Sequence, residues 1–131
     1  MFVDASALTG IIANEVDGNA LRQKLQFAKR PHLSGIVIYE TVLALTKIKR
    51  KPRAEALHEV NAFVELYSIK CVDIGHDLSE LALEAFERFG KGNHPARLNM
   101  GDCYSYACAK KLKQPLLFKG DDFSKTDILK A

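Results

Sequence analysis

Three acidic residues stand alone in apolar stretches of this chain. Asp4, Glu40 and Asp102 are each the only charged residue within at least 12 consecutive positions. A carboxylate among apolar neighbours is unfavourable to bury unless a basic partner, hydrogen bonds, protonation or a metal ion compensates it. None of the three stretches carries a lysine or arginine beside its acid. A bound cation is therefore a candidate for the compensating group.

Carboxylates that are brought together repel one another and raise one another's pKa, and a divalent cation removes that repulsion. Ligands that are oxygen atoms alone indicate Mg²⁺ or Mn²⁺. Mg²⁺ usually keeps several waters and binds only one or two carboxylates, so the remaining acids can orient a water or bind a second ion. Such a site is suited to phosphoryl transfer, in which the metal stabilises charge on phosphate and activates a water.

Each acid also has a purely structural interpretation. Asp4 could cap a helix or turn that starts near Ser6, and Glu40 could lie on the exposed side of its helix. Asn99 could be the N-cap of a helix in which Asp102 occupies the third position, close to the helix dipole. A further acidic pair, Asp121 and Asp122 in Gly-Asp-Asp-Phe, is also typical of a turn.

Short apolar strands alternate with longer helices, which predicts an α/β fold with a parallel sheet. In such sheets the functional sites lie at the carboxyl ends of the strands. Asp4 ends the first predicted strand, and Asp121 and Asp122 follow the last, so all three are expected at one edge. The predicted strands are 1–4, 32–34, 70–72 and 114–118. The predicted helices begin near Ser6, Asp17, Gly35, Pro52, Asp77 or Ser79, and Asn99, with Ser34 as the cap of the third.

The chain has 131 residues and a formal net charge of +3, which predicts a single domain over 1–131. The composition excludes a disordered, collagenous or disulfide-rich chain. No uncharged apolar run approaches the roughly 20 residues of a membrane span. No basic segment precedes an apolar stretch at the N-terminus, and the three cysteines have no metal-binding spacing. We therefore expect a cytoplasmic protein with reduced cysteines and no membrane partner.

Four blocks of the sequence resemble a known family. They are Met-Phe-Val-Asp-Ala-Ser-Ala-Leu at the start, Ser-Gly-Ile-Val-Ile-Tyr-Glu ending at Glu40, Leu-Asn-Met-Gly-Asp-Cys-Tyr-Ser-Tyr-Ala around Asp102, and Pro-Leu-Leu-Phe-Lys-Gly-Asp-Asp-Phe followed by Thr-Asp-Ile. In this order they resemble the PIN-domain ribonucleases, specifically the VapC toxins of bacterial type II toxin–antitoxin pairs. The resemblance implies a three-layer α/β/α domain with a mainly parallel sheet and a Mg²⁺- or Mn²⁺-dependent endoribonuclease. It also implies an RNA substrate, a VapB-type antitoxin and a homodimer.

The resemblance assigns roles to individual residues. Asp4, Glu40 and Asp102 match the three strongest acidic positions of the family and are the expected catalytic and metal-binding residues. Ser6 matches a small hydroxyl residue two places after the first acid, and Asn99 matches a polar residue before the Gly-Asp pair. The fourth acid differs from the Thr-x-Asp of many PIN domains. Alignment to Phe123 favours Asp122, and Asp121 is the alternative ligand.

Basic residues supply candidate contacts for RNA phosphates. Five lie within seven positions at the junction of two predicted helices, and a sixth lies beside the acidic pair. A solvated turn and a surface lysine are the alternative interpretations. The six residues are Lys47, Lys49, Arg50, Lys51, Arg53 and Lys119.

Two other function classes remain open. A haloacid-dehalogenase domain would carry a second Asp two places after Asp4, where this chain has Ser6. A receiver domain would carry an acidic pair near the first strand, and this chain has none there, so an aspartyl-phosphate site is disfavoured. A catalytically silent PIN-like module that binds RNA or a protein would keep the fold without the activity. Metal-dependent RNA cleavage distinguishes the nuclease from the silent module.

Overall fold

The computed structural model describes all 131 residues and contains four short strands and six α-helices. A short 3-10 helix, Phe123–Lys125, follows the last strand. No helix combines the length and the apolar composition that a membrane span needs. The strands are β1 (Phe2–Val3), β2 (His32–Ser34), β3 (Lys70–Val72) and β4 (Leu116–Leu117). The helices are α1 (Ala5–Ile12), α2 (Gly18–Gln26), α3 (Gly35–Ile48), α4 (Arg53–Leu66), α5 (His76–Phe89) and α6 (Met100–Leu112).

The sheet is parallel throughout, with the strand order β3-β2-β1-β4. The chain builds outward from β1 through β2 to β3 and then returns to add β4 on the other side of β1. Phe2 is opposite His32 on one side and Leu116 on the other. Where the chain connections from two neighbouring parallel strands run to opposite sides of the sheet, a crevice opens at the carboxyl ends of those strands. In α/β proteins ligands bind in this crevice. Here that position lies between the ends of β1 and β4.

One apolar core holds the layers together. Both residues of β1 are completely buried, as expected for the central strand of a sheet covered on both faces. The main helix contacts join α5 to α6, α3 to α4, and α1 to both α2 and α3. In α4 the buried residues are Ala56, Val60 and Phe63, on the face that their spacing predicts. The three-layer α/β/α fold with a parallel sheet is confirmed.

Most element boundaries agree with the sequence to within two or three residues. The strands at 32–34 and 70–72 have the predicted bounds, whereas β1 and β4 are shorter than predicted. Helix α5 begins at His76, one residue before the earlier of the two predicted starts. The predicted cap at Ser34 is wrong in one respect. Ser34 does occupy the N-cap position of α3, but its hydroxyl makes no capping hydrogen bond and is buried without a partner.

The C-terminal segment covers the outer edge of β4. The backbone N–H of Leu116 donates to the carbonyl of Leu129 at 2.8 Å, and that of Ala131 donates to the carbonyl of Leu116 at 3.0 Å. These hydrogen bonds satisfy backbone groups that would otherwise form an open sheet edge.

A polar cluster around Asp127 fastens this segment to the helices. The hydroxyl of Tyr106 donates to Asp127 Oδ1 at 2.5 Å, and Arg88 and Lys110 each bind Oδ2 at 3.2 Å. Burial would raise the pKa of Asp127, but these hydrogen bonds outweigh it and bring the pKa to about 2. The segment that follows the Asp121–Asp122 turn is thereby anchored to α5 and α6.

Candidate active site

A cavity of about 500 Å³ opens at the carboxyl ends of β1 and β4. Its lining contains four acids and a single basic residue. The acids are Asp4, Glu15, Glu40 and Asp102, and the base is Lys119. The topology brings them together. Asp4 follows β1, Glu15 lies between α1 and α2, and Glu40 lies on α3, whereas Asp102 lies on α6 and Lys119 follows β4.

Asp4 is both a helix cap and a buried carboxylate with a free oxygen. It directly follows β1 and is 2% exposed. Its Oδ2 accepts hydrogen bonds from the backbone N–H of Ser6 at 2.9 Å and from Ser6 Oγ at 2.5 Å, which caps α1. Its Oδ1 is buried and has no partner. Capping therefore accounts for one oxygen only, and the other remains free for a ligand in the cavity.

Ser6 connects Asp4 to the other side of the crevice. While its hydroxyl donates to Asp4, the same Oγ accepts the backbone N–H of Lys119 at 3.0 Å. This single hydroxyl thus links the end of β1 to the end of β4. Ser6 therefore lies in direct contact with the acid, at the position that the resemblance gives to a small hydroxyl residue.

Asp102 forms a capping box with Asn99 at the start of α6. The backbone N–H of Asn99 donates to Asp102 Oδ2, and the backbone N–H of Asp102 donates to Asn99 Oδ1, both at 2.9 Å. Burial raises the pKa of Asp102 to about 6; the hydrogen bond from Asn99 lowers it, and the charges of Asp4 and Asp122 raise it. The cap fixes the direction of this carboxyl, and its neighbours make its negative charge unfavourable.

Glu40 reaches the same cavity from the second turn of α3. Burial raises its pKa to about 7, and the charges of Asp4 and Asp102 contribute further. Its carboxyl lies against the backbone of Gly101, where any Cβ atom would overlap it. Gly101 was not among the predicted site residues, although the Gly-Asp pair in the sequence is a visible signal. The absence of a side chain at this position makes room for the glutamate.

The donor set fits a hard divalent cation that keeps part of its water shell. No three His, Cys, Asp or Glu side chains converge tightly enough to hold an ion by themselves. Mg²⁺, however, is commonly bound through one or two carboxylates and several waters. The free Oδ1 of Asp4, next to two carboxyls whose pKa values are raised by burial, is a suitable donor for such an ion.

The candidate fourth acids lie outside the cavity lining. Asp121 and Asp122 are both exposed, in a turn that begins at Gly120, where φ is +90°. The charge of Asp122 raises the pKa of Asp102, so Asp122 is near that carboxyl. The structure gives Asp121 no comparable relation to the other acids. Asp122 is therefore the better placed of the two.

Lys119 forms an ion pair with Glu15 inside the cavity. Glu15 lies in the loop between α1 and α2 and was not among the predicted site residues. Nothing local in the sequence signals this residue, because its partner is 104 positions away.

The basic cluster at the junction of α3 and α4 is only partly free. Lys49 and Lys51 both bind the carboxylate of Glu59, the latter at 2.5 Å. The other three residues of the cluster are exposed and form no ion pair; they are Lys47, Arg50 and Arg53. None of the five residues lines the cavity. Lys49 and Lys51 are therefore paired with an acid in this structure, and all five residues stay candidate phosphate contacts.

Comparison of the sequence with known proteins identifies the family of this chain. A family model described as the PIN domain matches residues 1–129. The chain belongs to the PIN-domain family. This PIN domain is 36% identical over 132 residues to ribonuclease VapC42 of Mycobacterium tuberculosis, which covers the whole chain and 98% of the relative. It is 35% identical over 139 residues to a VapC ribonuclease of Rhizobium meliloti, with 97% and 98% of the two chains covered. The resemblance to VapC proteins is confirmed.

The fold comparison is consistent with these relatives. The crystal structure of Mycobacterium tuberculosis VapC20, described as a sarcin-ricin loop cleaving toxin, superposes with a TM-score of 0.78. The alignment covers 99% of this PIN domain and 97% of VapC20 at 19% sequence identity. At that identity the likeness establishes the shared fold.

Proposed function

We propose that this PIN domain is a metal-dependent endoribonuclease and the toxin of a type II toxin–antitoxin pair. The observation that carries the proposal is the carboxylate of Asp4, which is buried with one oxygen free in a cavity shared with Glu40 and Asp102. The names of the relatives, which are VapC ribonucleases, support the substrate class.

Asp4 and Asp102 would hold a Mg²⁺ or Mn²⁺ ion, with Glu40 beside them and Asp122 at the rim. When bound, such an ion supplies charge stabilisation on the scissile phosphate and lowers the pKa of a water. Ser6 and Asn99 keep the two aspartates in fixed orientations through the hydrogen bonds described above. Glu40 lines the same cavity and would accept a proton at its carboxylate from an attacking water.

The remaining parts of the proposal concern partners. RNA would approach along the free cations of the α3–α4 junction, where Lys47, Arg50 and Arg53 are exposed. A VapB-type antitoxin would neutralise the toxin, and the protein would act as a cytoplasmic homodimer, as the resemblance to VapC implies.

The test compares the wild-type protein with Asp4→Asn on single-stranded RNA. We expect Mn²⁺-dependent cleavage by the wild type, loss of cleavage with EDTA, and loss of cleavage with intact folding in Asp4→Asn. Asp73→Asn, which removes an exposed acid outside the cavity, is the matched control and should cleave normally. Equal cleavage by the Asp4 variant and the wild type would refute the catalytic role.

One observation favours a second candidate, a catalytically silent module that binds RNA or a protein. The acids do not form a ready-made cluster of three metal ligands. A silent module would bind RNA without cutting it, whether Mn²⁺ is present or not. Detection of new RNA ends that depend on both Mn²⁺ and Asp4 excludes it.

A further inference from the structure

The Glu15–Lys119 ion pair stands out because it is built into the acidic cavity. Lys119 is the only basic residue in the lining, among four carboxylates. An RNA phosphate that enters this cavity meets strong repulsion from the acids, and one cation reduces that repulsion locally. The position of this cation therefore bears on how the substrate's backbone is held.

Both residues are fixed through their backbones. The N–H of Glu15 donates to the carbonyl of Gly10 at 3.0 Å, and the carbonyl of Glu15 accepts from the N–H of Gly18 at 2.8 Å. On the other side of the crevice, the N–H of Lys119 donates to Ser6 Oγ. The chain of contacts runs from Glu15 through Lys119 and Ser6 to Asp4.

The lysine side chain would be mobile without its partner. A lysine has four rotatable bonds and a compact ammonium, so a fixed backbone alone does not fix the charge. The bond to Glu15 Oε2 is the only hydrogen bond that the ammonium makes. An ammonium carries three donors, so two N–H groups remain for another acceptor. The hydrogen bond to Glu15 also raises the pKa of Lys119, which keeps the side chain charged.

We propose that Glu15 is a positioning residue that holds the Lys119 ammonium in the cavity, where it binds a phosphate group of the RNA backbone. The inference rests on the proposed function and deepens it, since it assigns a substrate-phosphate contact within the acidic site. Lys119 touches the phosphate, and Glu15 acts through Lys119.

The experiment measures binding of a fluorescein-labelled single-stranded oligoribonucleotide of mixed sequence by anisotropy. EDTA prevents metal-dependent cleavage, and the KCl concentration is varied. Lys119→Met should weaken binding and make the slope of log affinity against log salt shallower by about 0.7, the value for one phosphate contact to a single strand. Lys119→Arg should retain most of the affinity and the slope.

Glu15→Gln distinguishes positioning from simple charge. It raises the net charge by one, and so does Asp77→Asn, which breaks the exposed Asp77–Lys111 ion pair outside the cavity. Positioning predicts that Glu15→Gln binds RNA severalfold more weakly than Asp77→Asn. It also predicts that the Glu15→Gln, Lys119→Met double variant binds no more weakly than Lys119→Met alone.

Two outcomes would overturn the inference. If Glu15→Gln binds RNA as tightly as Asp77→Asn or more tightly, Glu15 does not position Lys119 and its negative charge only repels the RNA backbone. Additive losses in the double variant would show that the two residues act independently. Thermal melts identify any variant that fails to fold, in which case the comparison of Lys119→Met with Lys119→Arg still tests the phosphate contact.

Cleavage kinetics with Mn²⁺ supply a separate readout. Loss of a phosphate contact made equally in the ground and transition states raises KM and leaves kcat nearly unchanged. Since binding is measured without cleavage, a protein that binds RNA in the predicted pattern and cuts none would refute the nuclease proposal alone. A wild-type protein that binds no RNA in EDTA would refute the inference, whereas the nuclease proposal would then still be judged by cleavage with Mn²⁺.

Discussion

Replacing Glu40 with glutamine should stabilise the metal-free protein above neutral pH. In the folded protein, burial raises the pKa of Glu40 from its ordinary 4.5 to about 7, and the negative charges of Asp4 and Asp102 contribute to this rise. The folded state therefore binds this proton more tightly than the unfolded state does. The free energy of unfolding therefore falls as the pH rises from 4.5 to about 7, and above that range the stabilisation from the bound proton is completely lost.

The magnitude follows from the size of the pKa change. A shift of one pKa unit corresponds to about 1.4 kcal/mol, so the full shift of Glu40 would lower the free energy of unfolding by about 3 kcal/mol. Glu40 is only half-buried, so solvent screening reduces this to about 1–2 kcal/mol. For a domain of this size the corresponding rise in Tm is about 3–8 °C.

Thermal melts by circular dichroism in EDTA, near pH 8 and again near pH 4.5, measure the effect. Glu40→Gln should melt above the wild type at the higher pH, and the difference should shrink at the lower pH because the folded wild type is then protonated. Added Mn²⁺ should reduce the advantage, since the ion compensates the same repulsion. Glu84→Gln, which changes an exposed glutamate on α5, is the control. An equal gain at both pH values, or a loss near pH 8, would refute the electrostatic explanation.

Three further predictions concern the site, the tail and the basic surface. Gly101→Ala should displace the Glu40 carboxyl and lower kcat with little loss of RNA binding, measured in the cleavage and anisotropy assays. Asp127→Asn should lower the free energy of unfolding by about 1 kcal/mol at neutral pH. In urea melts that difference should disappear as the pH falls from 3.8 through about 2, where the native hydrogen-bonded carboxylate becomes protonated. Arg50→Glu with Arg53→Glu should weaken RNA binding and flatten its salt slope; an unchanged slope would assign these residues to a solvated turn.

The sequence could predict the three central acids because each breaks an apolar stretch. Asp4, Glu40 and Asp102 belong to segments whose burial follows from local hydrophobicity, and parallel topology brings strand ends to one edge. The structural interpretations of Asp4 and Asp102 as capping residues were also correct. Capping and ligand binding are compatible because each carboxylate has two oxygens, and capping of α1 leaves Oδ1 of Asp4 free.

Contacts between distant segments could not be predicted in this way. Glu15 pairs with Lys119, which is 104 positions away, so no local pattern encodes this ion pair. Glu59 is much nearer to Lys49 and Lys51, but these pairs cross the turn between α3 and α4 and depend on how that turn folds. The close contact of Gly101 with Glu40 likewise depends on how α3 packs against α6. The length of β1 was overestimated because burial of an apolar run indicates a core position and does not indicate how far the strand's hydrogen bonds extend.

The hydrogen bond between Ser6 and Lys119 joins residues 113 positions apart and has a consequence for synthesis. The internal strand β1 precedes β4 in the chain, so its pairing with β4 must wait until residues 116–117 are available. Loop closure over such a separation is slow, and it comes after the helices have had time to form. The cavity between β1 and β4 is consequently completed only after residues 116–119 have been made. A nascent chain that stops short of these residues carries Asp4 and Glu40 without the β4 side of the candidate site.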